Sequence, residues 1–175
     1  MLPEHLPDGL IVVMGLCGAL RGLRTGDIAI FTDVTDETGR YTFDAELVRV
    51  MSATLPSAKL VHGCTVNHVV TRATERAALA AAYGAEAVDM EGTHLARALA
   101  TRGRAALIVR IASDDPTFDL PPIEDAFDAA GNIRPLHLAL AFAKKPRAAA
   151  RFVSDVRHAL HTLGTVAARL ATTTT

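Results

Sequence analysis

Short apolar runs alternate along this chain with longer stretches that have helical spacing. Continuous runs of apolar and β-branched residues predict buried strands at residues 10–14 and 105–112, and residues 28–34 predict another strand. Residues 59–66 alternate between apolar and polar positions, and residues 86–89 form a further short strand candidate. The pattern therefore predicts five strands.

Five segments between and after these runs predict helices. Asp44 is a candidate N-cap for the first helix, and Gly84 follows the second at the position where a left-handed residue ends a helix. Residues 114–132 are rich in proline and acidic residues without a clear period and predict a loop, and residues 172–175 are expected to fray. The helical segments are residues 45–54, 75–83, 92–101, 136–143 and 146–170.

The order of these elements predicts the fold class. Strands that alternate with helices indicate an α/β fold, in which helices cover the faces of a sheet. The chain has 175 residues, which fits one domain, and neither an internal repeat nor a linker divides it. We therefore expect residues 1–175 to form a single domain.

Composition narrows the range of partners. Half of the residues are hydrophobic and 21% are charged, which excludes a disordered chain. There are 18 Lys and Arg residues against 19 Asp and Glu residues, and aromatic residues make up 5% without any Trp. Such a chain offers little charge for phosphates and few rings for base stacking. We expect no nucleic-acid partner.

Three features predict a cytoplasmic protein. The N-terminal residues lack the basic and apolar regions of a signal peptide. The longest apolar run, residues 10–20, is broken by glycines and falls short of the roughly 18 residues that cross a bilayer. Cys17 and Cys64 lie in apolar stretches, as reduced core thiols do. We expect no membrane span.

Carboxylates at the ends of two predicted strands are the main candidates for chemistry. Asp89 and Glu91 stand at the exit of one strand, and Asp114 follows another, at the sheet edge where open α/β folds bind ligands. Two such groups can divide substrate binding and acid catalysis between them. The alternative is that Asp89 or Glu91 only caps a helix and that Asp114 only shapes a loop.

Arg110 interrupts the apolar strand that precedes Asp114. A buried arginine is rare unless an acid pairs with it, and Glu91 or Asp114 is the expected partner. A purely structural ion pair and a catalytic role are equally open at this point.

The glycines at 15, 18 and 22 follow the first strand without matching a nucleotide-binding motif, because their spacing differs and a P-loop lysine is absent. We interpret them as a tight turn close to a ligand, with Gly18 as the point of approach.

Metal sites are weaker alternatives. His62, Cys64 and His68 have even spacing and would share one face of a strand, but zinc needs three or four ligands and spare ones are few. Glu91 and His94 have the spacing of half a di-iron site without a second copy. His158 and His161 are expected on a helix surface. We expect neither a metal nor another cofactor.

Four segments together resemble the superfamily of purine nucleoside phosphorylases and methylthioadenosine nucleosidases. Residues 15–20 (Gly-Leu-Cys-Gly-Ala-Leu) and 23–30 are similar to its strand-turn-strand. Residues 88–91 (Val-Asp-Met-Glu) resemble its ribose-binding motif, and residues 110–114 (Arg-Ile-Ala-Ser-Asp) its base-protonating motif. The tail, from Leu120-Pro-Pro to the Arg-rich helix after Pro146, is most similar to the hopanoid-associated nucleosidase branch.

The resemblance implies a three-layer α/β/α fold with a central mixed sheet, and a purine nucleoside N-ribosyl hydrolase that cleaves an adenosine-type nucleoside. It also implies a role for each site residue. Glu91 would bind the ribose hydroxyls with Met90 beneath the sugar, Asp114, beside Ser113, would protonate purine N7, and Arg110 would help to hold the attacking water. His68 would face the base where the family often has an aromatic residue, with Val69 beside it.

The chain also departs from the family pattern. Several strands that normally precede the Gly15 segment are missing, and Leu16 stands where a Ser or Thr is usual. The basic phosphate ligand of some phosphorylases would fall at Val13, so hydrolysis is favoured over phosphorolysis. A non-catalytic nucleoside-binding or oligomerisation module and a nucleoside phosphorylase are the alternatives. The sheet edge left by the missing strands predicts a homodimer or higher homo-oligomer.

Overall fold

A computed structural model describes residues 9–123, 126 and 134–173. Within these ranges the chain forms six strands and five helices. The strands are β1 (Ile11–Ala19), β2 (Ile28–Asp36), β3 (Gly39–Thr42), β4 (Lys59–Thr65), β5 (Ala87–Asp89) and β6 (Ala106–Ala112). The helices are α1 (Ala45–Thr54), α2 (Ala73–Tyr83), α3 (Gly92–Ala100), α4 (Pro135–Lys144) and α5 (Pro146–Thr173).

The strands form one mixed sheet in the order β3-β2-β4-β5-β1-β6. β1 runs parallel to β6 and antiparallel to β5, and β4 runs parallel to both β2 and β5. β2 also pairs with β6, so that the sheet curls back on itself. Helices pack on this sheet, with α5 on β1 and β6, and α3 on β2, β4 and β6. The predicted α/β fold with a central mixed sheet is confirmed.

The core lies where the predicted buried strands meet. All seven residues of β6 are buried, and β2 buries Ile30, Phe31 and Val34 completely. Burial on both faces explains why apolar residues dominate these segments instead of alternating regularly with polar ones.

Local signals placed two helix ends correctly. The Asp44 carboxylate accepts the backbone N–H of Leu47 at 2.9 Å, so Asp44 caps α1 as predicted. Gly84 ends α2 with φ +66°, a left-handed conformation that glycine adopts without steric cost.

The predicted turn after residue 14 is wrong, because β1 continues to Ala19. Gly15 is in register with Arg110 of β6, and Gly18 is in register with Val88 of β5, so the backbone ladder passes through both glycines. The positive-φ turn glycines come later, at Gly22 and Gly26.

The sequence analysis missed β3, which is a short and largely exposed hairpin partner of β2. Asp36 forms the turn by accepting the backbone N–H groups of Thr38 and Gly39. At the other end of the chain, α5 continues through Thr173, so the expected fraying from residue 172 is wrong for the described residues. Part of the predicted 114–132 loop, residues 124–125 and 127–132, lies outside them.

The prediction of a homo-oligomer is based on an unpaired sheet edge. No such edge is found at β1, because β5 pairs with one side of β1 and β6 pairs with the other. The homo-oligomer stays a prediction. None of the helices in the described ranges has the length and hydropathy of a membrane span.

Close packing at Gly63 in β4 predicts a measurable effect on stability. A Cβ atom at this position would lie 2.3 Å from Cε2 of Phe31, a residue that is fully buried in the core. Gly63→Ala should therefore lower the free energy of unfolding by about 1–3 kcal/mol, as overpacking of a core does. Urea denaturation of the purified variant measures this change.

Gly164→Ala is the matched control. A Cβ at this position in α5 would have no neighbour within 4 Å, and alanine is the better helix former. Its unfolding free energy should equal or exceed that of the wild type. Equal effects of the two substitutions would contradict the packing described for Phe31.

Candidate active site

A pocket of about 490 Å³ opens where β1, β5 and β6 adjoin. Its floor is the stretch of β1 from Met14 to Gly18. All eight residues that the sequence analysis proposed for the site line this one pocket. They are Gly18, His68, Val69, Met90, Glu91, Arg110, Ser113 and Asp114.

A buried ion pair stands against the middle of β1. The Arg110 guanidinium donates to Oδ2 of Asp89 through Nε at 3.1 Å and through Nη2 at 2.8 Å. Both side chains are at most 5% exposed. The expected partners of Arg110 were Glu91 and Asp114, and only a contact of 3.9 Å to Glu91 exists. Asp89 is the main partner of Arg110 because it is the last residue of β5, which runs beside β1, and its carboxylate points towards the arginine.

Asp89 also organises the backbone around it. Its Oδ1 accepts the hydroxyl of Thr65 at 2.8 Å and the backbone N–H of Gly92 at 3.0 Å, at the start of α3. A Cβ at residue 92 would lie 2.7 Å from Oδ2 of Asp89, and a Cβ at residue 15 would lie 2.3 Å from Nη1 of Arg110. Glycine at both positions thus makes room for the buried pair.

Asp114 lies buried at the carboxyl end of β1. Its Oδ1 accepts the backbone N–H of Ala19 at 2.8 Å, and its Oδ2 lies 3.2 Å from Nη2 of Arg76. The expected pairing of Asp114 with Arg110 is wrong, because Arg76 of α2 is the cation that contacts Asp114. Burial raises the pKa of Asp114 above its ordinary value, and the charge of Arg76 opposes that rise.

The sequence analysis missed Arg76. This residue shares one stripe of α2 with Leu79, Ala80 and Tyr83, at helical spacings of three, four and seven residues. Those neighbours pack into a small apolar cluster below β4 and β5. An arginine on an otherwise buried stripe was the signal that could have revealed it.

The mouth of the pocket carries more exposed groups. The Glu91 side chain is 69% exposed and does not cap α3, so its carboxylate is accessible to a ligand. Met90 is half-exposed beside it. The His68 ring lies at the rim, with Nε2 2.7 Å from Oε1 of Glu75.

Apolar side chains from several elements complete the walls. Phe152 and Val156, one turn apart on α5, reach the pocket from the far end of the chain, and no short-range pattern pointed to them. Ser113 turns its hydroxyl to the backbone oxygen of Cys17 at 3.1 Å. The remaining apolar lining residues are Met14, Leu16, Val66, Val69, Val70, Val88, Leu120 and Ile123.

The candidate metal ligands do not come together. His62 pairs with Asp33, and β4 ends at Thr65, so His68 lies beyond the strand and pairs with Glu75. Among the described residues, no group of three or more His, Cys, Asp and Glu side chains could hold a metal ion. As expected, His158 and His161 are exposed on α5.

Both cysteines are free and buried. Burial raises the pKa of Cys64 to about 12 and that of Cys17, beside the pocket, further still. Neither thiol is therefore ionised near neutral pH, which excludes Cys17 as a thiolate nucleophile in this pocket.

Solved structures with a similar fold are nucleosidases and a related hydrolase. The 5′-methylthioadenosine/S-adenosylhomocysteine nucleosidase of Campylobacter jejuni is 17% identical with a TM-score of 0.55, over 85% of this chain and 69% of that one. Futalosine hydrolase of Helicobacter pylori is 14% identical with a TM-score of 0.55, over 83% and 65%. The 5′-methylthioadenosine nucleosidase of Arabidopsis thaliana is 17% identical with a TM-score of 0.55, over 90% and 60%.

These likenesses concern the fold. In the first two structures compared, this chain covers only 58% and 56% of the relative's length. Comparison with curated protein sequences finds no match.

A family model gives the assignment. The model described as the phosphorylase superfamily matches residues 4–133, a stretch that includes both carboxylate motifs of the pocket. Since this match covers well over half of the chain, the protein belongs to the phosphorylase superfamily.

Proposed function

We propose that this protein is a purine nucleoside N-ribosyl hydrolase, with an adenosine-type nucleoside as its substrate. The observation that carries the proposal is the arrangement of acids in one pocket. A buried Asp114 with a raised pKa stands at one end of the β1 floor, and the exposed Glu91 carboxylate stands at the pocket mouth. The nucleosidases among the structural neighbours support the reaction class.

Asp114 is the proposed general acid. Protonation of purine N7 makes the base a better leaving group while the C1′–N9 bond breaks and the sugar becomes an oxocarbenium ion. Burial favours the protonated carboxyl that this step needs. Water then adds to C1′ and loses a proton, which balances the proton delivered to the base.

Glu91 is the proposed ribose ligand. Its carboxylate can accept hydrogen bonds from two sugar hydroxyls, and Met90 offers an apolar surface beside it. Arg110 lies 3.9 Å from this carboxylate and is itself fixed by Asp89. In the proposal, the Arg110–Asp89 pair holds the sugar end of the pocket in shape, and the arginine helps to orient the attacking water.

The charges in the pocket favour water over phosphate as the nucleophile. Of the described residues that line the pocket, Arg110 is the only Lys or Arg, and Asp89 already neutralises it. A phosphate dianion would therefore find no unpaired Lys or Arg among them. Phosphorolysis is the weaker alternative for this reason.

Nucleoside binding without turnover is the second candidate function. Three described carboxylates line the pocket, and two of them, Asp89 and Asp114, are each paired with an arginine. Glu91 is the carboxylate without such a close partner, and the proposal already assigns it to the ribose. No unpaired carboxylate among the described lining residues is then left to activate a water molecule, and this favours a module that binds a nucleoside without cleaving it.

Two finer features belong to the same proposal. The similarity of the tail to the hopanoid-associated nucleosidase branch concerns the sequence after Leu120 and supports the same reaction class. The two free thiols support a reducing compartment, in keeping with the cytoplasm.

Asp114→Asn separates catalysis from binding. The amide keeps the shape of the side chain but cannot deliver the proton, so kcat for base release should fall by about 10²–10⁴-fold. Nucleoside affinity should change little. Release of adenine from adenosine, followed by chromatography, measures the rate, and calorimetry measures the affinity.

Asp44→Asn is the control, because asparagine caps a helix as well as aspartate does and α1 does not line the pocket. It should keep the wild-type rate. Equal rates in wild type and Asp114→Asn would remove Asp114 from the reaction.

Glu91→Gln tests the ribose contact. Loss of the negative charge should weaken nucleoside binding by about 1.5–3 kcal/mol, the range for a hydrogen bond to a charged group. Calorimetry with adenosine in the Asp114→Asn background avoids turnover during the titration. Glu37→Gln, on the exposed β2–β3 turn, is the matched control and should bind like its parent. Unchanged affinity in Glu91→Gln would exclude Glu91 as the sugar ligand.

A further inference from the structure

Arg76 is the largest fully buried side chain among the described residues. It belongs to α2 and does not line the pocket, but its guanidinium contacts the carboxylate of Asp114. Side chains of Arg76 and Asp114 are 1% and 5% exposed, so water screens their interaction very little. Burial of a guanidinium is costly, and a helix that only needed packing would place an apolar residue here.

The guanidinium connects the loops that frame Asp114. Its Nη1 donates to the backbone oxygen of Asp115 at 2.9 Å, and its Nη2 donates to the backbone oxygen of Val70 at 3.2 Å. A longer contact of 3.4 Å reaches the backbone oxygen of Phe118. Arg76 therefore ties the loop after β6 to the loop before α2, in addition to its bond to the Asp114 carboxylate.

These bonds restrict the rotation of Asp114. Arg76 donates to Oδ2, and the Ala19 N–H donates to Oδ1. Each oxygen is thus anchored by one donor, and the carboxyl plane is fixed relative to the β1 floor. A proton donor needs this fixed orientation, because small displacements of a catalytic group reduce the rate strongly.

We propose that Arg76 is a positioning residue for Asp114, which it orients and whose charge it balances without contact with the substrate. The inference rests on the proposed function of Asp114 as general acid. Arg76 lies on α2, outside the two carboxylate motifs at residues 88–91 and 110–114, so α2 also contributes to the proposed reaction.

The charges around Asp114 fix the direction of the expected pH effect. Arg76 faces it from α2, Asp115 from its own loop, Asp155 from α5, and the uncharged Cys17 thiol from β1. Arg76 is the cation of this set and lowers the pKa of Asp114, whereas burial and the two aspartates raise it. Removal of the cation should raise this pKa further, so the protonated form should persist to higher pH.

Arg76→Gln and Arg76→Lys test the role with steady-state kinetics on adenosine across pH. Arg76→Gln removes the charge, and we expect kcat to fall about 10–100-fold with KM changed less than about threefold. The falling limb of the pH–rate profile should move up by about 1–3 pH units, the effect of an opposite charge at this distance. Arg76→Lys keeps the positive charge, so the falling limb of its pH–rate profile should stay near that of the wild type.

Arg72→Gln is the matched control, because Arg72 begins the same helix and is exposed. It should reproduce the wild-type kinetics and profile. Rates are compared per folded molecule, with the folded fraction taken from circular dichroism. Arg76→Gln with wild-type kcat and an unshifted limb would overturn the inference and leave Arg76 a purely structural residue.

A second measurement does not depend on activity. Carbon-13 NMR of aspartate-labelled protein follows the titration of the Asp114 carboxyl, with Asp114→Asn to assign the signal. The signal should titrate at higher pH in Arg76→Gln than in the wild type and in Arg76→Lys. An unmoved midpoint in a folded Arg76→Gln protein would contradict the inference. If the wild type releases no base, the proposed hydrolase fails, and this titration still decides whether Arg76 controls the charge of Asp114.

Discussion

The burial of two arginine–carboxylate pairs is the constraint on which the pocket depends. Arg110 with Asp89 and Arg76 with Asp114 place four ionisable side chains out of water, at two points along the β1 floor. Loss of one partner would leave an uncompensated charge, which costs about 3–5 kcal/mol. Backbone N–H groups donate to both carboxylates, and backbone oxygens accept from Arg76, whose buried Nε has no hydrogen-bond partner among the described residues. The strands and loops that carry these groups are therefore held together by electrostatics as well as by apolar packing.

The two ends of the pocket differ in a way that suits cleavage of a nucleoside. At one end, burial raises the pKa of Asp114 and makes a proton available. At the other end, the exposed Glu91 has no such burial and can carry the negative charge that attracts sugar hydroxyls and stabilises a cationic sugar. The difference in burial thus suits the two carboxylates of one pocket to different chemical roles. The apolar walls between them suit a flat base.

Much of this arrangement could be predicted from the sequence. The apolar pattern located the strands at residues 28–34 and 105–112, and strand-end carboxylates placed Asp114 and Glu91 at one pocket. The pairing of charges could not be predicted, because it depends on strand order. An antiparallel β5 brings Asp89 to Arg110, and the packing of α2 brings Arg76 to Asp114. Sequence spacing carries no information on either contact.

We propose that this pocket cleaves a nucleoside with water. Incubation of the wild-type protein with adenosine, with and without inorganic phosphate, tests this most directly when the sugar product is identified by mass spectrometry. We expect free ribose and free adenine at the same rate in both reactions. Formation of ribose 1-phosphate, or a requirement for phosphate, would contradict the claim, and so would intact adenosine in both reactions.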